Sequence, residues 1–309
     1  MDLARLVDRL FGSERALRVW LTASLLANMG IVVTGAVVRV TSSGLGCPTW
    51  PRCSADAYVP HAELGIHGAI EFGNRLLTFV LIILAVGAFA AAWRVRGHGA
   101  RVWWLTLIVG LGIPLQGVIG GITVLTRLNP WIVAAHLLVS VAIIVVSTWA
   151  LATAVGPRPH VPSRGAARLA RLTFAIAMVS VWLGTVVTGA GPHAGDAEVP
   201  RNGFDIEAVA RVHSASAWVL IVSLVLTIVA LRRAKASPGL RAAWFLAATV
   251  ALQGVIGYLQ YFNGLPVWLV TLHLVGVSVV TAAASWLWFA AGSYVTSGSI
   301  ATAKNTIAR

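Results

Sequence analysis

Gln116-Gly117-Val118-Ile119-Gly120, followed by Trp131 and His136, returns 137 residues later as Gln253-Gly254-Val255-Ile256-Gly257, followed by Trp268 and His273. Both copies lie in long apolar runs, so the stretch reads as a duplicated pair of membrane helices. Outward from it the register drifts, as differing loop lengths require. Ala69-Ile70-Glu71-Phe72-Gly73-Asn74 aligns with Ala208-Val209-Ala210-Arg211-Val212-His213 at an offset of 139, and Val32-Val33-Thr34-Gly35-Ala36 with Val186-Val187-Thr188-Gly189-Ala190 at 154. Four equivalent positions therefore read Asn74 and His136 in the first half, His213 and His273 in the second.

Composition bounds the class. Apolar residues make up 58% of the chain and charged residues 11%, too little polar surface for a soluble fold. Runs of about 20 apolar residues cross roughly 30 Å of hydrocarbon, and eight are read, at 19–38, 66–93, 102–125, 131–153, 172–190, 207–231, 242–262 and 267–291. The net charge of +13 does not point to nucleic acid, because it is segregated. Of 23 basic residues, 17 fall on one side: Arg5, Arg9, Arg15, Arg18, Arg94, Arg96, Arg101, Arg158, Arg164, Arg168, Arg171, Arg232, Arg233, Lys235, Arg241, Lys304 and Arg309. The positive-inside rule then puts both termini in the cytoplasm.

The expected fold is an all-α membrane protein, eight transmembrane helices arranged as two parallel-repeat four-helix bundles. An N-terminal interfacial helix within 1–17 presents Leu3, Leu6, Val7, Leu10 and Phe11 on one face,. The first repeat occupies 18–153 and carries a long outer loop, 39–65. A cytoplasmic linker at 154–171 leads into the second repeat, 172–291, and a flexible tail, 292–309, is rich in Ser, Thr and Ala,.

The chemistry falls on few residues. Imidazole ligates iron well, and two histidines from facing helices suit a six-coordinate heme that transfers electrons. His213 and His273 are therefore expected to hold a heme b in the second half. In the first half His136 faces Asn74, whose amide is a poor iron ligand, so a heme there would keep an open or weakly filled axial position. His67 stands two turns before Asn74 on the same helix face, either as a second ligand or as a hydrogen-bond partner of Glu71. Glu71 is a carboxylate inside an apolar span, where a charge is costly, and its counterpart is Ala210. It reads either as a general acid/base or as the partner of Arg75 in an ion pair. Arg75, Arg39, Arg127 and Arg211 lie near the outer face, placed to meet heme propionates or to snorkel to headgroups. Cys47 and Cys53 are the only cysteines; on an oxidising face they read as a disulfide.

Together these residues resemble the heme A synthase family. The resemblance rests on Gly-Leu-Gly-Cys-Pro-x-Trp-Pro-x-Cys from Gly44 to Cys53, on Glu71 with Arg75, on the Gln-Gly-x-x-Gly repeats and on the histidines of spans 4, 6 and 8. It covers essentially the whole chain. It implies an eight-helix enzyme of the cell membrane that oxidises the C8 methyl of heme O to a formyl group by successive hydroxylation. It also implies heme b on His213 and His273, His136 toward the substrate heme, Glu71 as the catalytic carboxylate, a Cys47–Cys53 disulfide and heme sites toward the outer face. The partners implied are heme O, heme O synthase, cytochrome oxidase assembly factors and membrane lipid, with room for a homo-oligomer and none for nucleic acid. The family often reads Glu-x-x-His where this chain has Glu71-Phe72-Gly73-Asn74. A di-heme cytochrome that only relays electrons is the alternative; matched ligands in both halves would favour it, and Asn74 argues against it.

Overall fold

Residues 3–95, 100–155, 164–196 and 198–292 are described by a computed structural model. Among them every regular element is helical: α1 (Leu3–Phe11), α2 (Glu14–Val40), a 3-10 turn (Ala62–Leu64), α3 (Gly65–Arg94), α4 (Ala100–Leu125), α5 (Pro130–Val155), α6 (Arg164–Ala190), α7 (Ile206–Arg233), α8 (Ser237–Phe262) and α9 (Val267–Gly292). From α2 onward all eight are long and apolar enough to cross a membrane. The core of the linker, 156–163, and the tail, 293–309, lie outside the described residues.

Several helices outrun their apolar runs. α2 begins at Glu14, where the Ser13 hydroxyl caps it by accepting from the Ala16 N–H at 3.1 Å, so residues 14–17 do not belong to the interfacial element. α6 begins at Arg164 and takes in Arg168 and Arg171, which the linker was expected to hold. Backbone hydrogen bonds continue a helix past the hydrocarbon edge wherever long basic side chains can reach the headgroups. α1 lies against α2 and α3, its Asp8 paired with Arg94. Trp20 stacks on Phe11 at 5.5 Å and donates to the Leu10 carbonyl.

Within the first half, α2 packs on α3, α3 on α4, α4 on α5 and α5 back on α2; within the second, α6, α7, α8 and α9 close the same ring. Contacts of α2 with α9, α5 with α6 and α5 with α9 join the rings. Small buried residues bring the backbones close: Ala166, Ala170, Ala177, Ala243 and Ala284 fill the second ring with Leu231, Leu246 and Leu287. Ala88, Ala91 and Ala150 do the same in the first, with Leu17 and Leu21. Some hydroxyls buried there bond one another, as Thr173 does with Ser223 and Thr227 at 2.8 Å each, which spares those groups from facing hydrocarbon alone.

Candidate functional site

All four marked positions fall near the same end of the bundle. Asn74 lies nine residues into α3, His136 six into α5, His213 seven into α7 and His273 six into α9. At 1.5 Å per residue they stand about 9–14 Å below the loop-bearing end. Asp205 sets the register of α7 by capping it, its carboxylate accepting from the Ala208 N–H at 2.7 Å.

In the second ring the two imidazoles face one another. Their ring centres are 6.3 Å apart and their planes cross at 87°. Nδ1 of each is buried without a hydrogen-bond partner, a costly condition unless a ligand completes the site. Each ring leans on a glycine of an adjoining helix: a Cβ at Gly184 would lie 3.3 Å from His213 Cε1, and one at Gly257 3.4 Å from His273 Cε1. A shared ion at about 2 Å from one nitrogen of each ring, with about 1 Å more to each ring centre, needs roughly this 6 Å separation. Among the described residues no group of three or more His, Cys, Asp or Glu gathers to complete a metal shell. An ion held here must bring its own remaining donors, and a porphyrin brings four. The residues present therefore fit a heme between two axial histidines.

The first ring keeps half of that arrangement. His136 Nδ1 is again buried and unpartnered, and a Cβ at Gly120 would meet its Cε1 at 3.3 Å. Gln116 fixes this part of α5, its Nε2 donating to the His136 carbonyl at 2.9 Å and to the Ser140 hydroxyl. Asn74 accepts from the Thr34 hydroxyl at 2.7 Å. His67 is exposed and stands 3.0 Å from the Ser43 hydroxyl through Nδ1. It does not bond Glu71.

Glu71 is 5% exposed and both its oxygens are engaged. Oε2 accepts from the Cys47 N–H at 2.6 Å, and Oε1 accepts from Arg75 Nη2 at 2.5 Å and Nε at 3.2 Å. Arg75 reaches further, donating to the carbonyls of Cys47, Thr49 and Arg52 at 3.0, 3.1 and 3.2 Å. The pair thus clamps the loop between α2 and α3 onto α3. The Cys47–Cys53 disulfide is formed, both cysteines fully buried. Gly46 passes so close to α3 that a Cβ would collide with the His67 carbonyl, and the Trp50 ring occupies the space a Cβ at Gly121 would need.

Of the remaining arginines, Arg39 holds a loop and Arg211 stays within its own helix. Arg39 donates to the carbonyls of His193 and Thr188 at 2.5 and 2.8 Å, tying α2 to the end of α6 and the segment after it. Arg211 pairs with Glu207 at the exposed surface. Gly120 and Gly257 stand out in the sequence through the Gln-Gly-x-x-Gly repeats, as glycines that admit a close approach; Gly184 behind His213 and the Thr34–Asn74 bond do not. The signal for Gly30 and Gly184 was present, since the 154-residue offset holds two residues upstream of Val32.

Residues 18–285 match the family model described as cytochrome oxidase assembly protein, COX15-CtaA. Proteins named heme A synthase are among the relatives. The one from Rhizobium etli is 27% identical over 338 aligned positions, 90% of this chain and 90% of the relative. That of Geobacillus kaustophilus is 34% identical over 106 residues, 34% of this chain and 32% of the relative. A third, from Methylorubrum extorquens, is 30% identical over 210 residues, 56% and 54% of the two chains. The match thus spans about a third of the Geobacillus protein and nearly all of the Rhizobium one.

Proposed function

We propose a function from one premise: the chain belongs to the cytochrome oxidase assembly protein family, whose matched relatives are heme A synthases. It oxidises the C8 methyl of heme O to a formyl group by two successive hydroxylations, in the cell membrane with the heme sites toward the outer face. Counting the oxygen as water, each methyl loses four electrons, taken up by an external electron acceptor of the membrane, and releases four protons. The observation that carries this reading is the difference between equivalent positions, two facing imidazoles in one ring and an imidazole with a carboxamide in the other. A relay of electrons would need matched ends; a reaction needs one end that differs.

In this reading His213 and His273 hold heme b, which supplies one-electron chemistry when bound. Their glycine neighbours and unpartnered Nδ1 atoms support that role. His136 holds the substrate heme in the first ring, with its prenyl tail in lipid. Glu71 stands one turn before Asn74 and takes up protons released at the methyl carbon. Oε2 keeps a lone pair beyond the bond from the Cys47 N–H, and Arg75, bound twice to Oε1, keeps the carboxylate in place. Heme O arrives from heme O synthase within the same bilayer, and the product passes to the factors that assemble cytochrome oxidase. The closed rings and the contacts between α2, α5, α6 and α9 support a duplicated architecture with a pseudo-two-fold axis along the membrane normal,.

Co-expression with a heme O producer, followed by pigment extraction, tests the reaction. Wild-type protein yields heme A. Glu71→Gln preserves an acceptor for the Cys47 N–H and a low-spin heme b spectrum, yet accumulates heme O; normal heme A output from it removes Glu71 from the chemistry. His213→Ala and His273→Ala lose the low-spin spectrum.

A further inference from the structure

Three imidazoles in this protein rest on glycines: His136 on Gly120, His213 on Gly184 and His273 on Gly257, each with Cε1 3.3–3.4 Å from where a Cβ would stand. Gly30 is the fourth member of that set, since 30 + 154 = 184, and a Cβ there meets nothing within 4 Å. The residue that should lean on it is Asn74, equivalent to His213 by the 139-residue offset. A carboxamide is shorter than an imidazole, and this one is tied to Thr34, four residues beyond Gly30 on α2. The same Thr34 hydroxyl lies 3.1 Å from the Ile31 carbonyl, which fixes its rotamer. The glycine needed to admit a fourth ring is thus kept, the ring is not, and a polar pair flanks the open space.

We propose that Gly30, Thr34 and Asn74 form a small-ligand pocket on the side of the first ring opposite His136. This rests on the reading that the first ring binds heme O: the substrate iron is held by one imidazole, and its other face admits a small exogenous ligand. A carboxamide presents both a donor and an acceptor, so the pocket suits a water-sized molecule or a planar nitrogen base. The site therefore differs from its twin by design of the side chains, not by slack packing.

Imidazole is the probe. Full-length protein carrying heme b and heme O is oxidised and titrated with it, followed by EPR and visible spectra. The wild type shows a high-spin ferric signal from the first ring that imidazole converts to low spin, while the heme b signal stays unchanged. Asn74→His places a ring against Gly30 as His213 sits against Gly184, and is low-spin before any addition. Its tethered ring competes at an effective concentration near the millimolar range or above, so the apparent Kd for added imidazole rises at least about tenfold. Asn74→Ala, which removes the carboxamide and adds no ring, stays high-spin and takes imidazole more weakly than the wild type. A wild-type first-ring heme that is already low-spin and indifferent to imidazole overturns the pocket, as does an Asn74→His protein that remains high-spin. Failure to retain heme O at all, with heme b intact, sinks the heme O reading and the pocket with it.

Discussion

Gly184 decides whether His213 can stand where it does. The ring already lies 3.3 Å from the position of an added Cβ, whereas Gly30 has open space before it. Gly184→Leu is therefore expected to push the imidazole out of line and abolish the low-spin heme b spectrum, while Gly30→Ala leaves that spectrum unchanged. Absorbance of the two purified variants at equal protein concentration checks this; equal heme b content in both would show that the glycine cradle is incidental. The histidines were legible because a repeat places like residues at like positions. Gly120 and Gly257 were legible with them through the repeat, but which ring each one faces was not, because a glycine reveals its partner only through a neighbour on another helix. Glu71 divides the same way: Arg75 follows at i+4 and could be read from spacing, but the Cys47 N–H, 24 residues upstream in the loop, could not.

The segment between α2 and α3 is held twice, once covalently and once by Arg75. A disulfide spanning six residues contributes about 2 kcal/mol through loop closure. Arg75 ties together the Glu71 carboxylate and three loop carbonyls. Its removal leaves a carboxylate that is 5% exposed without a counter-charge, which costs about 3–5 kcal/mol. Apparent Tm in detergent is thus expected to fall modestly for the Cys47→Ser, Cys53→Ser double variant and further for Arg75→Ala. The opposite order would mean that the covalent bond, not the guanidinium, carries the loop. At this scale the eight spans were legible from apolar length alone, but not their ends. Hydropathy stops at the hydrocarbon edge, while α2 and α6 run on through Arg15, Arg18, Arg164 and Arg168 on backbone hydrogen bonds that hydropathy does not register.

Across the whole molecule two gradients coincide. The helix ends that carry the imidazoles are joined by segments containing the disulfide, Arg39 bound to the His193 carbonyl and His193 Nε2 at 2.9 Å from the Leu265 carbonyl. The opposite ends carry Arg94, Arg232, Arg233 and Lys235. Short connections at 126–129, 234–236 and 263–266 make α4–α5 and α7–α8–α9 antiparallel. The bonds Arg39–His193, Gly44–Gly195, Cys47–Glu71 and His193–Leu265 bring the imidazole-bearing ends of both halves together, so the orientation of one helix fixes that of its neighbours. If basic ends face the cytoplasm, Tyr58, 63% exposed in the disulfide-bearing segment, faces outward, and Lys235, exposed at the turn between α7 and α8, faces inward. Cysteine placed singly at each position then separates the two arrangements. A membrane-impermeant maleimide is expected to label Tyr58→Cys in intact cells and Lys235→Cys only after permeabilisation. Because the native cysteines are paired and fully buried, the wild type supplies an unlabelled background. The reverse pattern would invert every span at once, placing the paired imidazoles near the cytoplasmic face and the disulfide in a reducing compartment where it would not persist.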